Sequence, residues 1–138
     1  MLLYPNCKIN IGLRVLNKRE DGYHNIETIF VPIYGLHDEL EVNRSDVFGF
    51  VQEGIAIDCP EDDNLIIRCY RQMAAKYASI GPVHIRFRKQ IPFGAGLGGG
   101  SSDAAHMAIA LNELFSLGLP KEQLAAEVGS LGADCPFF

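Results

Sequence analysis

Apolar and polar residues alternate over residues 8–15, with Ile9, Ile11, Leu13 and Val15 at every second position. A period of two predicts a half-buried strand with those four side chains on one face. Residues 17–22 are charged and end in Asp21-Gly22, a turn signal. Residues 26–33 predict the returning strand. Residues 38–42 and 48–51 predict two more short strands, joined through Asn43-Arg44-Ser45-Asp46. The first half therefore predicts antiparallel sheet. The period then lengthens. Asp62-Asp63-Asn64 is a helix-start signal, and Leu65, Ile66, Cys69, Tyr70, Met73 and Tyr77 follow at helical spacing until Gly81-Pro82. Val83, Ile85 and Phe87 alternate with His84, Arg86 and Arg88, predicting another strand. A helix is predicted over 101–115, with Ala104, Ala108, Leu111 and Phe115 on one face. A last helix carries Leu124, Val128 and Leu131 and is closed by Gly132. Strands first and helices interleaved later predict an α+β fold rather than a doubly wound sheet.

Composition narrows the function classes. The chain has 138 residues, 48% hydrophobic and 21% charged, which suits one folded domain spanning 1–138. Twelve basic and 17 acidic side chains give a net charge of −5, which argues against a general nucleic-acid or membrane-surface binder. No apolar run approaches the ~20 residues of a membrane span. Cys7, Cys59, Cys69 and Cys135 show no C-x-x-C spacing, and Lys8 interrupts any leader-like apolar start. The expectation is four reduced thiols in a cytoplasmic protein.

The most informative stretch runs from Pro92 and Phe93 through Gly94-Ala95-Gly96-Leu97-Gly98-Gly99-Gly100 to Ser101-Ser102-Asp103. Five glycines in seven residues leave backbone N–H groups open and let a ligand approach closely. A helix opening directly after them adds unpaired N–H groups and a positive dipole end. Together these make a cradle for phosphates. Gly94, Gly96 and Gly99 fit G-x-G-x-x-G, but residues 89–93 intervene after the strand and no acidic residue stands ~20 positions on, as a dinucleotide fold requires. A Walker loop would need Lys where Gly100 stands. No His-Arg-Asp or Asp-Phe-Gly follows, as a protein kinase would require.

Pro-x-x-x-Gly-Leu-Gly-Gly-Gly-Ser-Ser-x-Ala-Ala resembles the ATP-binding motif of the galactokinase, homoserine kinase, mevalonate kinase and phosphomevalonate kinase superfamily. Two further stretches narrow the resemblance. Lys8-Ile9-Asn10-Ile11, with residues 18–28 around Asp21-Gly22-Tyr23-His24, resembles the amino-terminal signature of the 4-diphosphocytidyl-2-C-methyl-D-erythritol kinase family. Residues 132–138, Gly-Ala-Asp-Cys-Pro-Phe-Phe, are similar to that family's Gly-Ala-Asp-x-Pro-Phe-Phe segment.

The resemblance implies a ribosomal-protein-S5-like α+β domain with a left-handed β-α-β unit, an antiparallel or mixed sheet and packed helices. It also implies ATP and Mg2+, and a small-molecule substrate in which cytidine diphosphate is joined to methylerythritol. It places Lys8 and Asp134 as catalytic residues, charge stabiliser and general base, paired with each other. It assigns Asn10, Tyr23 and His24 to the substrate, with the tyrosine stacked on the base. It assigns Asn64, Leu65 and Lys89 to the adenine side of ATP, and the stretch from Pro92 to Ser102 to the phosphates. On the residues alone, Lys8 equally suits an edge strand, Asp134 a turn and Asn64 a helix cap. Arg86, Arg88 and Lys89 read as a small basic cluster. Another kinase of the superfamily, or a dinucleotide-binding oxidoreductase fragment, stays open as an alternative. Family enzymes are about twice this length, and the chain stops on Pro136-Phe137-Phe138. The expectation is a carboxy-terminally truncated kinase with an exposed apolar face, prone to associate and inactive alone.

Overall fold

In the computed structural model, which describes residues 1–20, 22 and 24–138, the chain forms β1 (Leu2–Leu3), β2 (Asn6–Lys18), β3 (His24–His37), β4 (Glu39–Arg44), β5 (Gly49–Gly54), α1 (Leu65–Lys76), β6 (Val83–Lys89), α2 (Gly99–Leu114) and α3 (Lys121–Gly129). Single 3-10 turns cover Glu61–Asp63 and Cys135–Phe137. One mixed sheet has the order β1-β4-β6-β5, and β2 and β3 form a separate two-stranded ribbon. β6, the most regular alternation in the sequence, lies inside the sheet, antiparallel to β4 and parallel to β5. Parallel neighbours need a crossover, and α1 supplies it between β5 and β6.

That crossover corrects the expectation of purely antiparallel sheet for 38–42 and 48–51. β4 and β5 are not neighbours, because β6 is inserted between them. The inward residues Leu40, Val42, Val83, Ile85 and Phe87 pack against Ile66, Cys69 and Met73 of α1 and Met107, Ala108 and Leu111 of α2. The outward face is charged, with Arg86 lying 3.8 Å from both Glu41 and Glu53. α2 is apolar on most of its circumference because it is buried against both the sheet and α1; its alanines let those partners approach closely.

The ribbon departs furthest from the reading of residues 8–15. Ile11 pairs with Ile29 and Arg14 with Glu27, three residues against two. This is a β-bulge, and Gly12 sits in it with a φ of +68°. A bulge shifts the side-chain alternation by one. Ile9 and Ile11 therefore share one face with Ile29 and Val31, while Leu13 and Val15 turn to the other. The four do not share one face and none is buried; Ile11 is 52% and Val15 59% exposed.

The helices begin where their signals stand. Asn64 caps α1, its side-chain oxygen accepting from the Ile66 N–H at 2.9 Å. α2 starts at Gly99, two residues before the predicted 101, with Gly98 as its left-handed cap. Arg44 donates to the Leu114 carbonyl at the other end of α2, and its guanidinium lies 4.8 Å from the Phe115 ring centre. α3 stops at Gly129, before Leu131. Among the described residues no helix is long and apolar enough to cross a membrane.

Candidate active site

Four segments far apart in sequence meet around the start of α2: β2, the glycine loop, residues 59–65 and the 3-10 turn opened by Asp134. The first is β2, whose Lys8 is only 4% exposed. The Lys8 N–H donates to the Leu97 carbonyl at 2.9 Å, tying the strand to the glycine loop. Its ammonium lies 3.2 Å from the Asp134 carboxylate and also donates to the Asn10 side-chain oxygen. Asn10 in turn donates to the Thr28 hydroxyl at 3.2 Å. The lysine is held from two sides, and its Nζ lies 5.0 Å from the Phe30 ring centre. Asp134 opens the 3-10 turn Cys135–Phe137, and its side chain stays 31% exposed. The pair thus joins a buried cation to a carboxylate that a ligand can reach. This is the pairing expected of Lys8 and Asp134.

The second segment is the loop. Pro92, Phe93, Gly94, Ala95 and Gly96 are exposed. Gly94, Gly96 and Gly98 all have positive φ, between +71° and +73°, which opens the turn to a ligand. Nothing lies within 4 Å of a Cβ built on Gly94 or Gly96, so the space above them is free. At Gly98 a Cβ would come within 3.0 Å of the Lys8 side chain, and at Gly99 within 3.0 Å of the Lys89 Nζ. Two lysines therefore flank the first residues of α2, where the helix already favours an anion.

The third segment closes a cavity of about 260 Å³ on the other side of the loop. It brings together Asn64, Leu65, Lys89, Phe93 and Gly100, all expected on the nucleotide side, and adds Cys59 and Asp103. Lys89 stands apart from Arg86 and Arg88, which corrects the reading of the three as one basic cluster. Its side chain points into the core while Arg86 and Arg88 are exposed. Its ammonium lies 2.5 Å from Asp38 and 2.8 Å from Asp103, all three residues being buried. Burial is the main cause that pushes the Asp103 carboxyl well above the usual range; the neighbouring Asp38 adds to it and Lys89 opposes it.

Ser102 and His24 are placed apart from the other expected residues. Ser102 is buried, with its N–H bonded to the Gly98 carbonyl and its hydroxyl 3.4 Å from His106, so Ser101 is the half-buried hydroxyl at the helix start. His24 is exposed and pairs with Lys18 at the far end of the ribbon. Ten residues of strand separate Lys18 from Lys8, up to about 30 Å along the chain. Tyr23 lies outside the described residues. Asp38 and Asp103 had no role in the sequence reading, although one signal stood there. The alternation of Val83, Ile85 and Phe87 extends to Lys89, and a lysine on a core face needs buried counter-charges. Among the thiols, Cys7, Cys69 and Cys135 are buried, and desolvation pushes Cys69 up to about 12.

Comparison with known proteins supplies the wider frame. The chain is 49% identical, over all 138 residues, to 4-diphosphocytidyl-2-C-methyl-D-erythritol kinase of Parabacteroides distasonis, and covers 50% of that protein. It spans about half the length of the curated relatives it matches. A crystal structure of 4-(cytidine 5'-diphospho)-2C-methyl-D-erythritol kinase superposes with a TM-score of 0.80 at 39% identity, covering all of this chain and 48% of that one. Mevalonate pyrophosphate decarboxylase from Streptococcus pyogenes shares the fold, with a TM-score of 0.71 at 16% identity, covering 99% of this chain and 44% of that one. Residues 64–138 match the family described as GHMP kinases N terminal domain. That span holds α1, the glycine loop, Asp134 and six of the nine residues lining the cavity, and with them the chain belongs to the GHMP kinase family.

Proposed function

We propose that this chain carries the nucleotide cradle and the phosphoryl-transfer pair of a cytoplasmic, ATP-dependent kinase for 4-diphosphocytidyl-2-C-methyl-D-erythritol. The reaction is in-line transfer of the γ-phosphate to the 2-hydroxyl of the methylerythritol part, on the non-mevalonate route to isoprenoid precursors. The observation that carries this reading is the 3.2 Å contact of Lys8 with Asp134 beside the glycine loop. Phosphoryl transfer asks little covalent chemistry of a protein; it asks for an oriented hydroxyl, an acceptor for its proton and charge neutralisation. Asp134, reachable from solvent, takes the hydroxyl proton. Lys8, fixed by Asn10, stabilises negative charge on the attacking oxygen and the phosphate. The open N–H groups around Gly94, Gly96 and Gly98 suit the ATP phosphates, and the cavity with Asn64, Leu65 and Lys89 suits the base. His24, with Tyr23, is assigned to the cytidine end on its likeness to the family motif, and the ribbon has to fold toward Lys8 for one substrate to reach both.

Mg2+ follows from the reaction class. Among the described residues no cluster of three or more His, Cys, Asp or Glu side chains is arranged to hold a metal. The described residues thus form no such cage for the ion. Magnesium of this class is held largely by substrate phosphates and water. The partner in this reading is the small-molecule substrate, with no nucleic acid or membrane.

The test is ADP release by the protein in its natural reading frame, measured with this substrate and with galactose, homoserine, mevalonate and phosphomevalonate. Turnover with the cytidine-diphosphate compound alone is expected, and preference for any of the others would sink the assignment. In calorimetry the chain should bind ATP and not NAD; the reverse would restore the oxidoreductase alternative.

A further inference from the structure

Three buried ionisable side chains lie beneath the glycine loop, and of these only Lys89, at the base cavity, enters the reading above. Asp38 is completely buried between β3 and β4. One of its carboxylate oxygens accepts from the Gln90 N–H at 2.5 Å and the Ile91 N–H at 2.8 Å. These two residues lead from β6 into the loop. Its other oxygen accepts from Lys89 at 2.5 Å. Lys89 also donates to Asp103 at 2.8 Å, and Asp103 belongs to α2, beyond the loop. The Lys89 carbonyl receives the Ile55 N–H at 2.9 Å, which adds the end of β5. A Cβ on Gly99 would lie 2.9 Å from Ile91 Cγ2 and 3.0 Å from Lys89 Nζ.

We propose that Asp38, Lys89 and Asp103 form a clamp that fixes both ends of the glycine loop for phosphate binding, with Asp38 as a positioning residue that itself touches no ligand. The proposal rests on the kinase reading above. Between the clamped ends, residues 92–96 are exposed. The triad is an expensive way to fill a core, since each charge loses its hydration and Asp103 Oδ1 has no hydrogen-bond partner in the chain. Apolar side chains would fill the same space at lower cost, but they would not hold two backbone N–H groups and a helix in one register. Loop donors held in place need no rearrangement when a phosphate arrives. The clamp therefore acts mainly on ligands that carry phosphates, because Lys89, which also lines the base cavity, keeps Asp103 as a partner when Asp38 is changed.

The experiment is calorimetric titration of the protein and its Asp38→Asn variant with ATP and with adenosine. The variant keeps the side-chain shape but loses one acceptor oxygen. ATP affinity should fall roughly tenfold or more, with adenosine affinity within about twofold. An unchanged ATP affinity, or an equal loss for both ligands, would overturn the clamp alone. Failure of the unaltered protein to bind ATP would overturn the kinase reading, and the clamp with it. If Asp38→Asn does not fold, amide hydrogen exchange on the unaltered protein decides. Gln90 and Ile91 should exchange as slowly as Ile85 and Phe87 in β6; exchange as fast as the exposed Gly94 and Gly96 would overturn the proposal.

Discussion

Lys8 and Lys89 are both buried lysines beside the first turn of α2, yet their surroundings differ in kind. Lys8 faces one carboxylate that a ligand can reach, and Asn10 aims it. Lys89 is enclosed by two carboxylates that a solvent molecule scarcely touches. Two acids and one ammonium leave an excess negative charge in a dry site. Burial pushes the Asp103 carboxyl well above its ordinary range, with Lys89 opposing the shift and Asp38 adding to it. A carboxyl whose folded value is raised contributes stability that is fully present below its unfolded value. That contribution is lost as pH rises through the raised folded value. Asp103→Asn mimics the protonated acid and cannot lose a proton. In urea unfolding between pH 4 and 8, the variant should lose less stability with rising pH than the parent. Equal slopes in the two proteins would contradict this account of Asp103.

At the scale of elements, the ends of α1 and α2 are fixed by single residues. Asn64→Ala removes the acceptor for the Ile66 N–H and should cost about 1 kcal/mol in denaturant unfolding, with Asn64→Ser close to the parent. An equal loss in both variants would mean that the cap contributes nothing. This cap was legible in the sequence because a side chain and its partner two residues on are local. So was β6, whose alternation is unbroken. The order of strands was not legible. A turn-like Asn43-Arg44-Ser45-Asp46 suits a hairpin equally well, and only the pairing of β6 with both flanking strands decides against one. The face of β2 failed for a different reason. One glycine at positive φ is a local feature, but its consequence is a shift of every side chain beyond it. The site was half legible. Lys8, Asp134 and the loop carry motif spacing, whereas Asp38 joins Lys89 and Asp103 only through the fold.

For the whole molecule, the ribbon leaves Ile9, Ile11 and Ile29 exposed along one face, Ile29 at 64%. Contiguous apolar surface of this kind marks an interaction site or an association hazard. Ile11→Lys combined with Ile29→Lys should lower the binding of a hydrophobic dye and leave the urea midpoint unchanged. A large loss of stability would show that the face is packed rather than open. The opposite face of the same ribbon presents Lys8 to Asp134, which lies more than a hundred residues later in the chain. The central claim is that this meeting of distant segments is a phosphoryl-transfer site, with the loop holding ATP independently of Asp134. The most direct measurement is substrate turnover by Asp134→Asn, in the natural reading frame, alongside calorimetric ATP binding. Turnover should fall by roughly 10²–10⁴-fold, the range for losing a general base, while ATP affinity stays within about threefold. Turnover within tenfold of the parent at unchanged ATP affinity would contradict the account.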